Sequence, residues 1–381
     1  NSYLDPIVAA FEIKAYGKDS TSSIIDVTDF FKGDNQAVSL SSFEKRNFNL
    51  SGLASDRSYI ETIKSYPINI EVRTVKTYNA SSPMPGSPAG GSFIPAAANA
   101  GAVTFELNTS ILLLPKTPMG RRLFDSRVGY FADNFVEYSD DQQKVKNQVF
   151  AVRYRLEPKP QDLEKYKRGE LVEPMKPIVY YVDPATPKKW VPYLIAGVND
   201  WNIAFEKAGW KNAIVGKEWP NDSTMSLEDA RFSVIRYFAS DIENAYGPQV
   251  HDPRSGEILE SHVGWYHNVM SLVHDWYMVQ TAAVDPAARK MHFDDELMGN
   301  LIRFVSSHEI GHTLGLRHNM GSSSKTPVEK LRDKTWVEAN GHTASIMDYA
   351  RFNYVAQPED KISQSGLFPR IGDYDKWAIQ W

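Results

Sequence analysis

The sequence contains no cysteine among its 381 residues. This absence excludes disulfide bonds, cysteine-ligated zinc, iron–sulfur clusters and a cysteine nucleophile. It does not decide the compartment, because a secreted bacterial protein can also lack cysteine. Long apolar runs are absent as well, whereas a membrane-spanning helix needs about 20 consecutive apolar residues. Positive charge is not in excess, since 42 basic residues against 47 acidic ones give a net charge of −5, which argues against a nucleic-acid partner.

The composition is otherwise that of a folded protein, with 42% apolar and 23% charged residues. The length predicts about two domains. Prolines and charged residues cluster near residues 157–177, so we predict a β-rich N-terminal domain, accessory or pro-like, over residues 1–157 and a second domain over residues 158–381. The sequence starts at Asn1, and we expect no signal peptide within it. We therefore expect a span excised or processed from a longer protein that continues beyond Trp381.

Alternating apolar residues in the N-terminal part predict strands, and a stretch over residues 80–102, rich in Ser, Pro, Gly and Ala, predicts a surface loop between two of them. The second domain instead alternates strands with helices, which predicts a mixed sheet. The N-terminal strands are predicted at residues 8–15, 23–27, 68–72 and 103–114. The later elements are predicted as strands at 178–182 and 232–237, a helix at 188–208, a hairpin at 251–263 and a long helix from Asp294 to about residue 316.

Three of only nine histidines lie within residues 308–318, which fit the pattern H-E-x-x-H-x-x-G-x-x-H. His308 and His312 are four positions apart, so one face of a helix presents both imidazoles to a single ion. Glu309 is adjacent but turned about 100° around the helix. Its carboxylate is therefore placed to reach a metal-bound water as general base, rather than to bind the metal itself.

The end of this motif predicts how a third ligand reaches the ion. Gly315 lets the chain leave the helix through a left-handed backbone conformation. That sharp exit brings His318 back towards the other two histidines. Three imidazoles leave at least one coordination position open, which is typical of a catalytic zinc ion rather than a structural one.

Residues 345–350, with the sequence Ser-Ile-Met-Asp-Tyr-Ala, follow the zinc motif, and together the two segments resemble the metzincin metallopeptidases. The resemblance covers roughly residues 177–381 and implies a mixed sheet, a long zinc-binding helix and a Met-turn. Met347 then forms the apolar floor beneath the metal. Tyr349 matches a tyrosine that ligates zinc and then binds the oxyanion in astacin-like and serralysin-like members. Asn319, directly after the third histidine, fits none of the usual subfamilies.

The whole chain, including residues 25–29 and 125–131, is similar to large secreted zinc-dependent metalloproteases of Bacteroidetes-type bacteria. In those proteins a β-rich region precedes a metzincin-like catalytic unit. The resemblance therefore implies an α+β protein whose catalytic domain occupies residues 158–381. It also implies a location outside the bacterial cytoplasm: extracellular, periplasmic or on the outer surface.

We therefore expect a zinc endopeptidase that uses one catalytic Zn²⁺ to hydrolyse peptide bonds of an extended polypeptide. Two alternatives stay open: a zinc hydrolase of a non-peptide substrate, and a surface binding protein that zinc only stabilises. Residues 258–263 are the candidate edge strand for pairing with substrate, although an interior strand would show the same pattern.

Several weaker features give further expectations. His262, His267 and His274 indicate either a second metal site or ordinary surface and core histidines. Asp125 is a candidate cap on the zinc ion in a latent form. Structural Ca²⁺ occurs in several metzincins but has no support here, because the sequence lacks an Asp-x-[Asp/Asn]-x-[Asp/Asn]-Gly loop. Asp373 is predicted to cap a last helix.

Overall fold

The computed structural model describes residues 7–18, 21–81 and 99–381. The chain divides into two compact units, Asn1–Leu113 and Leu114–Trp381. Most of the predicted loop over residues 80–102 lies outside the described residues. The described part of the first unit contains α1 (Thr28–Lys32), α2 (Ser42–Asn47), β1 (Ile13–Tyr16), β2 (Ser23–Ile25), β3 (Leu50–Leu53), β4 (Tyr59–Ser65), β5 (Asn69–Ala80) and β6 (Ala102–Leu112).

Strand β5 is the centre of an antiparallel sheet in the first unit. It pairs with β6 along almost its whole length, and with β3 and β4 on its other edge. Strands are present at the predicted positions, although β1 begins at Ile13 rather than at residue 8. The predicted alternation of buried apolar residues holds only in part of β5, where Val72 is buried as expected. Ile70 is 40% exposed whereas Glu71 is buried. The Glu71 carboxylate accepts hydrogen bonds from Asn69 and Asn108, which offset the cost of burying its charge.

A mixed five-stranded sheet forms the second unit's framework, in the order β10-β9-β11-β15-β12. The first four strands run parallel and β12 is the antiparallel edge strand. Strand β9 is the continuous apolar run that precedes Asp183, as expected for a strand covered on both faces. The strands of this unit are β7 (Ala132–Glu137), β8 (Lys146–Ala151), β9 (Ile178–Val182), β10 (Ile214–Glu218), β11 (Ser233–Phe238), β12 (Ala245–Tyr246), β13 (Val250–Asp252), β14 (Glu257–Glu260) and β15 (His262–Tyr266).

The helices that pack on this sheet include Val191–Asn199 and Asp295–Thr313, and the second of these is the longest helix within the described residues. The α-helices of the unit are α3 (Leu163–Lys167), α4 (Val191–Asn199), α5 (Asn202–Lys207), α6 (Val269–Thr281), α7 (Asp295–Thr313), α8 (Val328–Leu331), α9 (Lys334–Asn340), α10 (Gln364–Leu367) and α11 (Asp373–Gln380). No helix in the described part of the chain is long and apolar enough to cross a membrane.

The prediction that residues 258–263 form the substrate-binding edge strand is wrong. Ile258 and Glu260 belong to β14, which pairs with β13 in a separate two-stranded sheet. Val263 belongs to β15, which lies between β11 and β12 in the interior of the main sheet. All three side chains are buried. The main sheet ends at β10 on one side and at β12 on the side next to β15. Strand β12 has only two residues, which are too few to show any alternating pattern in the sequence.

The helix predicted over residues 188–208 is divided into α4 and α5 at Asp200 and Trp201. The Trp201 indole donates a hydrogen bond to the carbonyl oxygen of Ser307 at 2.8 Å, which fixes the break against α7. Helix α4 packs closely on α7 because Gly197 has no side chain: a Cβ there would lie 2.5 Å from the Cβ of Ser306. This contact holds α7 against α4, which itself packs on β9 and β10 of the main sheet.

Residues 114–157, which the sequence prediction places with the N-terminal domain, pack within the second unit. Tyr130 forms a β-bridge with Leu316 just beyond α7, and its hydroxyl donates to the carbonyl oxygen of Ala378 in α11. The change in composition near residues 157–177 gives no sign of these contacts, because they join residues far apart in the sequence. The domain boundary at residue 157 stays a prediction.

Candidate metal centre

Helix α7 carries the first two residues of the metal site. Asp294 caps it, as predicted, because its Oδ1 accepts a hydrogen bond from the backbone N–H of Leu297 at 2.9 Å. The apolar stripe of the helix is buried and continues into its last turns, where His308 and Glu309 are buried as well. The site is therefore built at the buried end of a rigid, capped helix.

Three histidines converge at the end of α7. The Nε2 atom of His318 lies 3.2 Å from that of His308 and 3.0 Å from that of His312. Tetrahedral zinc with bonds of about 2.05 Å to nitrogen requires nitrogen atoms about 3.3 Å apart. The spacing of the Nε2 atoms therefore fits a single ion bound by all three rings. Within the described residues these three side chains form the one group of His, Asp or Glu with metal-ligand spacing.

The backbone selects which ring nitrogen faces the ion. Nδ1 of His308 donates to the carbonyl oxygen of Ile346 at 2.8 Å, and Nδ1 of His312 donates to that of Leu316 at 2.8 Å. Because a carbonyl oxygen only accepts, both Nδ1 atoms carry the proton and both Nε2 atoms keep a lone pair. The Nε2 lone pairs of His308 and His312 both face the Nε2 atom of His318. One cation bound between the three nitrogen atoms would satisfy both lone pairs.

Burial also favours the neutral rings that a metal needs. It lowers the pKa of His308 to about 3 and that of His312 to about 4. Burial lowers the pKa of His318 too, although this ring is more exposed. The His308 and His312 imidazoles therefore stay unprotonated far below neutral pH, and protons compete weakly with a cation for their Nε2 lone pairs.

Gly315 makes the turn that returns His318 to the site, as predicted. Its φ is +102°, and a Cβ there would lie 2.2 Å from the carbonyl oxygen of Val152. The Gly315 carbonyl accepts from the backbone N–H of Phe131 at 2.7 Å, and the N–H of Arg317 donates to Gly129 at 2.7 Å. The exit from α7 is thus clamped as a strand by the segment that precedes β7. Sequence analysis connected residues 125–131 with a resemblance only and missed this structural role.

Glu309 faces the same cavity as the histidines. Its side chain is 7% exposed, and burial raises the pKa of its carboxyl to about 8. Among the described residues it has no hydrogen-bond partner, unlike the buried Glu71. A buried carboxyl without a protein partner is costly, so its place beside three histidines indicates a chemical role.

The predicted Met-turn packs against α7 next to the histidines. Met347 is fully buried, and its carbonyl oxygen accepts from the backbone N–H of Asn319 at 2.9 Å. Its Sδ would lie 2.2 Å from a Cβ at position 311, so Gly311 gives the methionine room under α7. This contact explains a glycine inside a helix, where it costs about 1 kcal/mol relative to alanine.

Asp375 connects the Met-turn to the last helix, which sequence analysis missed. Its carboxylate accepts from Ser345 Oγ at 2.6 Å and from the backbone N–H groups of Ile346 and Gly372, both at 2.8 Å. The carbonyl of the same Ile346 orients His308. The predicted cap residue, Asp373, is instead the first residue of α11, and Gly372 occupies the cap position.

We expect Asp375→Ala to lower the free energy of unfolding by about 3 kcal/mol and to weaken zinc binding, because it leaves buried N–H groups without an acceptor and frees the peptide that holds His308. Zinc titration and urea unfolding measure both effects. Asp373→Ala is the matched control, since Asp373 lies exposed on the same turn. Equal effects from the two substitutions would contradict this role.

Tyr349 lies beside the histidines but partly in solvent. Its ring centre is 4.3 Å from that of His318 and 5.7 Å from that of His308. The residue is 47% exposed. Burial of the ring, followed by the charge of Glu309, raises the pKa of its hydroxyl. The structure thus brings Tyr349 to the site, while its role in the chemistry stays a prediction.

The other candidate ligands lie elsewhere. The Asp125 carboxylate accepts two hydrogen bonds from the Arg127 guanidinium, so it does not cap the three histidines. His267 contacts the Tyr237 hydroxyl, and His274 contacts Asp275. Neither of these rings, nor His262, joins a metal-ligand cluster within the described residues.

A cavity of about 720 Å³ opens in front of the histidines. Its walls come from β12 and the residues after it, from α6, from α7 and from the Met-turn segment. Two lining residues that sequence analysis missed, Trp276 and Arg351, lie on different elements. A single sequence carries no signal that would have brought them together.

Comparison with known families agrees with this geometry. Residues 290–381 match the family described as Met-zincin, and residues 1–159 match the family described as Domain of unknown function (DUF5117). Neither a curated protein nor a solved structure matches the chain. The three histidines and Met347 all lie inside the first of these ranges. The chain is therefore an α+β protein whose residues 290–381 match the Met-zincin family and hold a histidine cluster consistent with one zinc ion.

Proposed function

We propose that this protein is a zinc-dependent endopeptidase. A Met-zincin domain implies a zinc metallopeptidase in general. The observation that carries the finer proposal is the placement of Glu309, a buried carboxyl without a protein partner, in the cavity onto which the three Nε2 atoms open. A site that held zinc only for structure would need no such group.

His308, His312 and His318 would hold the ion. When bound there, zinc supplies a Lewis acid that lowers the pKa of water to about 7. The positive charge of a bound cation favours the ionised form of Glu309. The carboxylate would then take the proton from the attacking water as general base and later deliver it to the leaving amine. Its position at the cavity, away from bulk solvent, keeps this proton within reach of the scissile bond.

Tyr349 is proposed to stabilise the negative charge that develops on the carbonyl oxygen of the substrate. The support is its ring position, 4.3 Å from the ring of His318, and its partial exposure to the cavity. A hydroxyl that retains its proton is a suitable donor to an oxyanion, and the raised pKa of Tyr349 favours that form.

The substrate is proposed to be a polypeptide bound in extended form along β12, the antiparallel edge of the main sheet. Residues 244–248 line the cavity. Gly247 brings this segment close to the zinc helix, since a Cβ there would lie 2.3 Å from the carbonyl oxygen of Glu309. Main-chain pairing at this edge would carry a scissile bond past the histidines. We further propose a site of action outside the bacterial cytoplasm, on the resemblance to secreted proteases.

Metal analysis combined with cleavage profiling tests the proposal. We expect one zinc ion per chain and internal cleavage of unfolded polypeptides and peptide libraries. A chelator should abolish the cleavage and stoichiometric Zn²⁺ should restore it. Ester and glycan substrates, assayed in parallel, separate a peptidase from another zinc hydrolase. A zinc-loaded protein that cleaves no peptide would overturn the proposal.

A further inference from the structure

Arg351 presents an unpaired guanidinium to the cavity beside the histidines. Its Cζ lies 3.9 Å from the ring centre of Trp276 and 5.3 Å from that of Tyr349. Among the described residues, no carboxylate forms an ion pair with it, and its buried Nε has no hydrogen-bond partner. Stacking on an aromatic face leaves the in-plane N–H donors of a guanidinium free for a ligand.

The backbone at Arg351 is held in an unfavourable conformation. Its φ is +51°, a left-handed region that a residue with a Cβ adopts only at a cost in free energy. Two hydrogen bonds maintain it: Nε2 of His342 donates to the Arg351 carbonyl oxygen at 3.0 Å, and the next backbone N–H, that of Phe352, donates to Gln280 at 3.1 Å. These bonds hold the backbone of Arg351, and stacking on Trp276 orients its guanidinium.

The charges that line the cavity do not balance. Asp348 is buried, and its Oδ2 accepts from Ser322 Oγ at 2.8 Å and from the backbone N–H of Ser323 at 2.6 Å. That carboxylate is satisfied by neutral donors, and Glu309 is assigned to the proton transfer proposed above. Arg351 thus remains as a positive group, partly removed from water, without a negative partner in the protein.

We propose that Arg351 binds a carboxylate of the peptide substrate, so that the enzyme selects acidic peptides. The ligand carboxylate belongs either to an Asp or Glu side chain near the scissile bond or to a free C-terminus. Both present the same planar pair of oxygens to the guanidinium. Trp276 supplies an apolar surface for the methylene groups next to that carboxylate. This inference rests on the proposed peptidase function.

Matched peptides test the inference. A library first locates the scissile bond, and peptides that differ only by Glu or Gln at each neighbouring position are then compared by kcat/KM. A second pair differs only by a free or amidated C-terminus. We expect the wild type to prefer one charged member at least about tenfold, because a buried charged donor discriminates against a neutral ligand by that order.

Arg351→Gln should reduce this ratio to about one, and Arg351→Lys should restore part of it. Arg317→Gln is the control, because Arg317 is an exposed cation on the same cavity. We expect it to change the ratio less than about twofold. Preference in the Glu pair identifies a side-chain carboxylate, and preference in the C-terminal pair identifies a free terminus.

A ratio near one in the wild type, or a preference that survives Arg351→Gln, overturns the inference while leaving the peptidase proposal intact. If no peptide is cleaved, the peptidase proposal fails by itself. In that case, peptide pairs of the same design are labelled with a fluorophore, and their affinity for the zinc-loaded protein measures the preference for a carboxylate. Equal affinity for the charged and neutral peptides in that assay would overturn the role of Arg351.

Discussion

Glu309→Gln is expected to reduce kcat/KM for peptide cleavage by at least about 10²-fold while one zinc ion per chain stays bound. The glutamine keeps the shape of the side chain but cannot take a proton from water at neutral pH. The hydrogen bonds that orient His308 and His312 run to the carbonyl oxygens of Ile346 and Leu316 and do not involve the Glu309 carboxyl. Measuring zinc content and kcat/KM in this variant therefore distinguishes a loss of the proposed general base from a loss of the metal.

The fold should tolerate this substitution. Burial raises the pKa of the Glu309 carboxyl, which has no hydrogen-bond partner among the described residues. Replacing it with a neutral amide removes the cost of burying a charge. We expect the thermal transition of the zinc-loaded variant to lie at or above that of the wild type, so that lost activity does not reflect unfolding.

Glu296→Gln is the matched control for this experiment. Glu296 lies exposed in the first turn of the same helix and loses the same charge, but it is far along α7 from the histidines. Its kcat/KM should stay within about twofold of the wild type. Retained cleavage in Glu309→Gln would contradict the general-base role. Loss of zinc from that variant would show instead that Glu309 supports the metal site.

Gly315→Ala is expected to lower the free energy of unfolding of the second unit by about 3 kcal/mol and to weaken zinc binding. About 1 kcal/mol arises from forcing alanine into a positive φ, which is +102° here. A further 1–3 kcal/mol, roughly, arises from the Cβ that would lie 2.2 Å from the Val152 carbonyl oxygen. Because this oxygen belongs to the backbone, it cannot rotate away as a side chain could. The clash is therefore relieved only if the turn that places His318 moves.

Gly169→Ala separates these two causes. Gly169 also has a positive φ, +80°, but a Cβ there would meet nothing within 4 Å. We expect it to cost only the backbone component, about 1 kcal/mol, and to leave zinc affinity unchanged. Urea unfolding with and without Zn²⁺ measures both effects. Zinc stabilises only the unit that binds it, so the unfolding transition that zinc shifts is that of the second unit. Equal destabilisation by the two substitutions would mean that the close contact at Val152 has no effect.

Much of the metal centre follows from local sequence. Asp294, the apolar stripe of α7 and the spacing of His308 and His312 act over a few helical turns, so helical periodicity alone places both ligands on one face. The positive φ at Gly315 is also predictable, because few other residues adopt that conformation at low cost. These features require no knowledge of the rest of the chain.

Local patterns were less reliable where burial depends on distant partners. The strand β5 was predicted, but Ile70 is exposed and Glu71 is buried, because Asn69 and Asn108 satisfy the carboxylate. The edge of the main sheet was misplaced for a similar reason. The position of a strand in a sheet depends on which other strands pair with it, and this information is not local in the sequence. Strand β12 is also only two residues long, so its own sequence shows no strand pattern.

The sequence by itself determined the chemistry of this protein: a helix with two histidines and a glutamate, a glycine turn with a third histidine, and a methionine turn. Only the tertiary structure decided what surrounds that chemistry. Asp375 reaches Ile346 across 29 residues, Phe131 clamps the turn at Gly315, and Arg351 stacks on Trp276 within the cavity. The physical reason is that metal-ligand spacing is a property of one helix and its turn, whereas support and selectivity arise from side chains that packing brings together from separate elements.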